Sequence, residues 1–158
     1  MAREKFSGPS DCHVRPAGRG DHGAVLDLIT SFYRQEGFAT ATDVLAAHLT
    51  TLIVADNARV AVAIAEHRCA GFGITTTSFG LEQGLVAELE DLYVHPDLRH
   101  RGIASALIED SARWAREWGC GELELVVADH GHGVGALLEF YRRRGFADGG
   151  RRLVSRRL

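Results

Sequence analysis

The sequence predicts a single mixed α/β domain, with a central, mostly antiparallel twisted sheet flanked by about four helices. Three observations carry that expectation. Residues 59–95 hold three consecutive runs rich in β-branched and apolar side chains, separated by short turns, which is the pattern of strands that pair antiparallel. Residues 103–118 repeat apolar side chains at 3.6-residue spacing, as a helix with one buried face does. A further apolar run at 122–128 follows that helix. A strand–helix–strand passage needs a parallel pair, so the sheet is mixed.

The bulk properties agree with one globular domain. The chain has 158 residues. At this length roughly 68–70% of the unfolded surface becomes buried, which removes the need for a disulfide or metal staple. The 46% hydrophobic content excludes a disordered chain. Eighteen Lys+Arg against 21 Asp+Glu give a net charge of −3, which argues against a nucleic-acid or anionic-membrane binder. No apolar run reaches the roughly 18 residues of a membrane span, and the first residues lack the apolar core of a signal peptide. Cys12, Cys69 and Cys120 are odd in number and far apart, a spacing that fits neither a disulfide framework nor a zinc site. A cytoplasmic, metal-free protein is expected.

In chain order, residues 1–10 read as a loose leader to a domain over 11–158. His13, Val14 and Arg15 form a short strand before Pro16. Asp21 caps a helix carrying Val25, Leu26, Leu28, Ile29, Phe32 and Tyr33, which Gly37 ends. A second helix starts after Thr40 or Thr42 and carries Val44, Leu45, Leu49 and Leu52, and Asp56-Asn57 marks a turn. Strands at 59–65 and 69–77 join around His67-Arg68. A loop over 80–84 leads to a long strand at 85–95 that stops at Pro96. The helix that follows opens at Gly102 or Ile103. Ala104, Leu107, Ile108, Ser111, Ala112, Ala115 and Trp118 lie on one stripe, with Glu109, Arg113 and Glu117 opposite and Gly119 as the stop. After the strand at 122–128 come a helix at 134–144, closed by Gly145, and a last strand at 151–157.

Chemistry concentrates where the strand at 85–95 meets this helix. The first N–H groups of a helix have no intrahelical partner, and Gly102 lets a bulky anion approach them. Arg99 and Arg101 add positive charge, and His95 and His100 flank the loop. The helix dipole contributes only about 0.3–1 kcal/mol, whereas each N–H bonded to a charged oxygen adds about 1.5–3 kcal/mol. Several convergent amides therefore outweigh the dipole, and they suit a diphosphate better than a single carboxylate. An ordinary helix start with two solvated arginines is the plain alternative.

These residues resemble the GNAT superfamily of acyl-CoA-dependent N-acetyltransferases. The strand reads Leu92-x-Val94-x-Pro96, then Arg99-x-x-Gly102-x-Ala104 opens the helix, and Phe140-Tyr141 with Gly145-Phe146 supplies the second motif at the expected separation. The resemblance covers about residues 13–158. It implies that the amides of Arg101, Gly102, Ile103, Ala104 and Ser105, with Arg99 and His100 beside them, hold the diphosphate of acetyl-CoA. It further implies that the main chain of Leu92, Tyr93 and Val94 holds the pantetheine arm, in a gap where this strand splays from the strand at 122–128. Tyr141 matches the usual general acid. An Asn common seven residues before that tyrosine is replaced here by Val134.

Proton accounting adds roles. A Lys-like ammonium is only about 1 part in 2500 free amine at pH 7, a deficit of ~4.6 kcal/mol, so a base must help remove the proton. A thiolate of pKa ~8.5 leaves more readily when a tyrosine protonates it. Glu90 or Glu88 is the expected base. By two-residue alternation these two share one face of the strand while Asp91 faces the other way. Salt-bridged edge carboxylates are the plain alternative for part of this set. Glu82, Asp91 and Tyr33 are candidate substrate contacts, Tyr33 because the first helical region forms part of the acceptor wall in the resembled family.

Other features carry less. Gly131-x-Gly133-x-x-Ala136 matches a dinucleotide fingerprint in the wrong context, since no further parallel strand follows. His130 and His132 lack a third ligand for a metal. Trp114 and Trp118 read as helix packing. The stretch around Trp114–Trp118 and the Arg-rich end look similar to aminoglycoside N-acetyltransferases, and the acidic strand suits a polycation. The acceptor is thus read as a small-molecule amine, with polyamine or protein amines as alternatives, and with a CoA-binding module without turnover as the reading of another class. The resemblance also allows a homodimer.

Overall fold

Residues 12–128 and 133–158 are described by a computed structural model. Its layering follows from alternation along one strand. In β2 (Ala58–Ala65), Val60 and Val62 face one side, while Ala61, Ala63 and Ala65 face the other. The valine side, with Phe72, Ile74 and Tyr93, is covered by α1 (His22–Gln35) and α2 (Thr42–Val54) through Val25, Leu28, Ile29, Leu45 and Leu49. The alanine side is covered by α3 (Ile103–Trp118) through Ile103 and Leu107. Small side chains there let the long helix lie close to the sheet. Fully burying a Leu or Phe contributes about 1.5–3 kcal/mol, so Leu49, Phe72 and Leu107 anchor both layers.

Among the described residues the sheet has five strands in chain order. β1 (His13–Pro16), β2, β3 (Arg68–Gly80) and β4 (Gly84–Val94) run antiparallel, and β5 (Glu122–Glu124) joins β4 in parallel. A two-residue turn at Glu66-His67, both with positive φ, closes β2 on β3, as such hairpins require. The helix α4 (Val134–Arg142) follows β5. Among the described residues no helix is long and apolar enough to cross a membrane.

Several expectations are corrected. Asp21 does occupy the position before α1 but does not cap it. Its carboxylate is taken by Arg15, at 2.7 and 2.9 Å, and by the Gly18 amide at 2.7 Å. The expected strand at 122–128 shrinks to three residues because β4 leaves its neighbour after Glu88. The expected strand at 151–157 is absent. Leu153 and Val154 are adjacent, so neither face of that run gathers apolar side chains, and the short β5 offers little edge to pair with. Arg151 instead reaches Gln83 at 3.1 Å and Glu124 at 3.6 Å.

Candidate active site

The opening in the sheet originates in a β-bulge. Thr75 pairs with Leu89 and Ile74 with Asp91, which leaves Glu90 as the extra residue. A bulge bends its strand and raises the local twist. β4 keeps β5 only up to the pair Glu88–Glu124, so among the described residues the rest of β4 runs on without a strand on that side. The His95 amide bonds Ala70 of β3 at 2.8 Å. Alternation then turns the main-chain groups of Leu92 and Val94 away from β3, toward the gap. The splay expected beside these residues is present.

The bulge also corrects the facing of the carboxylates. Asp91 pairs with Ile74 and Glu88 with Thr76, and these two β3 residues share one face. Glu90 joins that face by accepting the Thr76 hydroxyl at 2.6 Å. Glu88, Glu90 and Asp91 therefore gather on the α1 side instead of dividing between faces. Burial, reinforced by the charge of Glu90, pushes the Asp91 carboxyl up to about 6. Burial also raises Glu88, with the charges of Glu90 and Glu124 adding to it. Burial raises the Tyr33 hydroxyl of α1, and the charges of Asp91 and Glu90 add to it. Glu82 is not brought in. It lies exposed in the turn between β3 and β4, six residues before Glu88.

At the start of α3, Gly102 adopts φ +79°, a left-handed conformation that suits glycine, and a Cβ there would meet nothing within 4 Å. The first intrahelical bond comes from Ala106 to the Gly102 carbonyl at 3.0 Å, so the amides of Ile103, Ala104 and Ser105 point outward without helical partners. The arginines of this loop are used differently from the expectation. Arg99 Nε donates to the Val94 carbonyl at 3.0 Å, its guanidinium lies 5.5 Å from the Tyr93 ring centroid, and Nη2 reaches Gln35 Oε1 at 3.5 Å. Gln35 in turn donates to the Tyr93 hydroxyl at 3.0 Å. Arg101 pairs with Glu66 in the β2–β3 turn. Both side chains brace the loop, and the outward-facing backbone amides are what could meet an anion here. His100 takes φ +62° in the same turn, and His95 accepts the Asp97 amide at 3.3 Å.

Tyr141 sits near the end of α4, half-buried and packed edge-on against Phe140 and Phe146. Burial raises its hydroxyl pKa, and Arg144 pulls the other way. Arg144 was not singled out from the sequence. It lies in the run Arg142-Arg143-Arg144, and that triple charge was the available signal. Its Nε and Nη2 donate to Ser105 Oγ at 3.0 and 2.6 Å, joining α4 to the first turn of α3. A cleft of about 580 Å³ opens between them, lined by Ser105, Ala136, Glu139, Phe140, Arg143 and Arg144. Trp114 and Trp118 stack on each other at 5.6 Å on α3. His130, Gly131 and His132 lie outside the described residues.

An open strand edge leading to uncapped helix amides and then to a basic cleft fits an elongated ligand with a thioester end and phosphates, as acyl-CoA has. Comparison with known proteins points the same way. The chain is 38% identical over 68 residues to an uncharacterized N-acetyltransferase, MJ1207, of Methanocaldococcus jannaschii, covering 43% of this chain and 29% of that protein. It is 39% identical over 59 residues to a thialysine N-epsilon-acetyltransferase of Bos taurus, covering 37% and 35%. The match thus spans about a third of the length of these relatives. Among solved structures, the aminoglycoside N-acetyltransferase AAC(6')-Iy in complex with CoA superimposes with a TM-score of 0.81 at 21% identity, covering 94% of this chain and 95% of that one. With residues 22–146 matching the acetyltransferase (GNAT) family model, the chain belongs to that family.

Proposed function

We propose that the chain moves the acetyl group of acetyl-CoA to a primary amine of a small cationic acceptor of the aminoglycoside class, by direct attack of the amine. The observation that carries this reading is the bulge at Glu90, which gathers Glu88, Glu90 and Asp91 on one face beside the open edge of β4. Three carboxylates can hold several ammonium groups at once. Asp91, with a pKa of about 6, is ionised at neutral pH yet basic enough to take a proton from the amine, directly or through water. Acetyl-CoA, when bound, supplies the activated acyl group. Leu92 presents its main-chain donor and acceptor to its arm and Val94 its amide, the Val94 carbonyl being held by Arg99, and the amides of Ile103, Ala104 and Ser105 face its diphosphate. Tyr141 is the acid that protonates the departing sulfur. The structural likeness to AAC(6')-Iy supports the acceptor class.

A second reading, in which the acceptor is a smaller amine, is favoured by the resemblance to thialysine N-epsilon-acetyltransferase. Thiol release from acetyl-CoA, measured over a panel of aminoglycosides, polyamines, thialysine and peptide amines, separates the two. Highest kcat/KM on an aminoglycoside is expected. Turnover confined to thialysine or polyamines would move the acceptor class, and tight CoA binding with no turnover on any amine would make the protein a binding module.

A further inference from the structure

Three arginines follow Tyr141, and they are not equivalent. Arg142 and Arg143 both pair with Glu139, at 2.7 and 3.0 Å. Arg144 turns back toward α3 and, among the described residues, meets only neutral acceptors. These are Ser105 Oγ, at 3.0 and 2.6 Å, and the Phe140 carbonyl at 2.7 Å, with the guanidinium carbon 3.5 Å over the Phe140 ring. A half-buried guanidinium is thus held beside the first turn of α3 without a carboxylate partner. That end of a helix carries partial positive charge, so the arrangement sets like beside like. A phosphate entering the cleft would relieve the repulsion. It would also exchange a hydroxyl acceptor for charged oxygens, which bind a guanidinium about twice as strongly and in a two-pronged geometry. Neither arginine of the preceding loop lines this cleft: Arg101 pairs with Glu66, and Arg99 donates to the Val94 carbonyl and to Gln35.

We propose that Arg144 is the phosphate-binding cation of this protein, releasing Ser105 to grip a phosphate of the acyl-CoA nucleotide. The inference rests on the acyl-CoA reading above. It adds that the guanidinium comes from the turn after α4 and not from the loop before α3. Phe140 holds the guanidinium plane in place from one side, leaving the outer donors to face the cleft.

Isothermal titration of the full chain with CoA, dephospho-CoA and pantetheine tests this, with thermal melts confirming that each variant folds. Arg144→Gln is expected to weaken CoA binding about 10- to 100-fold, the range of one charge-assisted contact, and to leave pantetheine binding within about twofold. Arg144→Lys keeps the charge without the paired donors, so it loses less with CoA and nothing with pantetheine, and it decides the case if the glutamine variant does not fold. An equal loss with dephospho-CoA assigns the contact to the diphosphate, whereas a loss that disappears with dephospho-CoA assigns it to the ribose phosphate. CoA binding unchanged in Arg144→Gln, or weakened equally for CoA and pantetheine, overturns the proposal. Failure of the unaltered protein to bind CoA would overturn the acyl-CoA reading itself, which is a different result.

Discussion

Thr76 donates its hydroxyl to Glu90 at 2.6 Å, one pair beyond the point where the ladder between β3 and β4 slips by a residue. The contact folds the extra residue onto the face that Asp91 occupies, and the charge of Glu90 then adds to the burial that holds Asp91 near 6. Below that pH Asp91 is protonated and, in the proposed reaction, could not accept a proton from the amine. The value of kcat/KM should therefore rise with pH through about 6 and then level. Asp91→Asn should remove that limb and lower the rate by about 10²- to 10⁴-fold. The same shift has a stability consequence. The folded protein keeps this proton to a higher pH than the unfolded chain, so stability falls as pH rises from the ordinary carboxylate range to about 6. Asp91→Asn should accordingly raise the melting temperature at pH 7.5. A variant that keeps the acid limb would pass the role of base to Glu90 or Glu88.

Tyr141 is held by edge-on contacts with Phe140 and Phe146, at centroid distances of 5.2 and 5.6 Å, and these belong to the ring and not to its hydroxyl. Tyr141→Phe should fold as the parent does and lower kcat by about 10²-fold, the scale of one lost proton donor. Burial raises the pKa of this hydroxyl, which keeps it a proton donor across the neutral range. Steady-state rates between pH 6 and 9 provide the check. An unchanged kcat throughout would remove Tyr141 from the reaction.

How much of this was legible in the sequence depends on how local the cause is. The bounds of α3 follow from its period and from Gly119, both contained in the segment itself. The loop ahead of it follows from Pro96 and Gly102. The bulge at Glu90 leaves no compositional trace, because one extra residue in a strand looks like any other, and two-residue alternation therefore misplaced Asp91. The short β5 depends on where β4 turns, which is a tertiary matter. Arg99 and Arg101 read as phosphate ligands because their charge is visible in the sequence. The Val94 carbonyl and Glu66 that occupy them are brought alongside only by folding.

Gly71 pairs with Val94 at the end of β4 where the acyl-CoA arm would lie. A Cβ on Gly71 would stand 2.6 Å from the Tyr93 carbonyl oxygen and 3.3 Å from the Val94 Cα. Both are backbone atoms of β4, so the strand itself must move. Gly71→Ala should cost about 1–3 kcal/mol of stability, as overpacking does, and should weaken CoA binding because the displaced residues border the gap. Urea unfolding and CoA titration read the two effects separately. Parent-like values in both would show that β4 shifts at this point without consequence.

Asp110 is 1% exposed on α3, although it lies outside the apolar stripe that the sequence assigns to that helix. Its two oxygens accept Arg59 Nε and Nη2 of β2 at 2.9 and 2.8 Å, and Arg113 adds a third bond at 2.7 Å. The charge is buried because its partner arrives from 51 residues away in the chain. Asp110→Ala would leave Arg59, whose side chain is only 20% exposed, without its counter-ion. Removing one member of a buried pair costs about 3–5 kcal/mol, and for a chain of this size each kcal/mol lowers the melting temperature by about 2–4 °C. Asp110→Asn keeps the shape and part of the bonding, and should cost less. Replacing both partners with apolar residues of similar volume, as in Arg59→Met with Asp110→Leu, should recover most of the loss, because neither charge is then left buried alone. Urea unfolding of the three variants measures the series. If the double variant is as unstable as Asp110→Ala, the pair fixes the register of α3 on β2 in a way that packing cannot replace, and the position of the amides at Ile103, Ala104 and Ser105 depends on it.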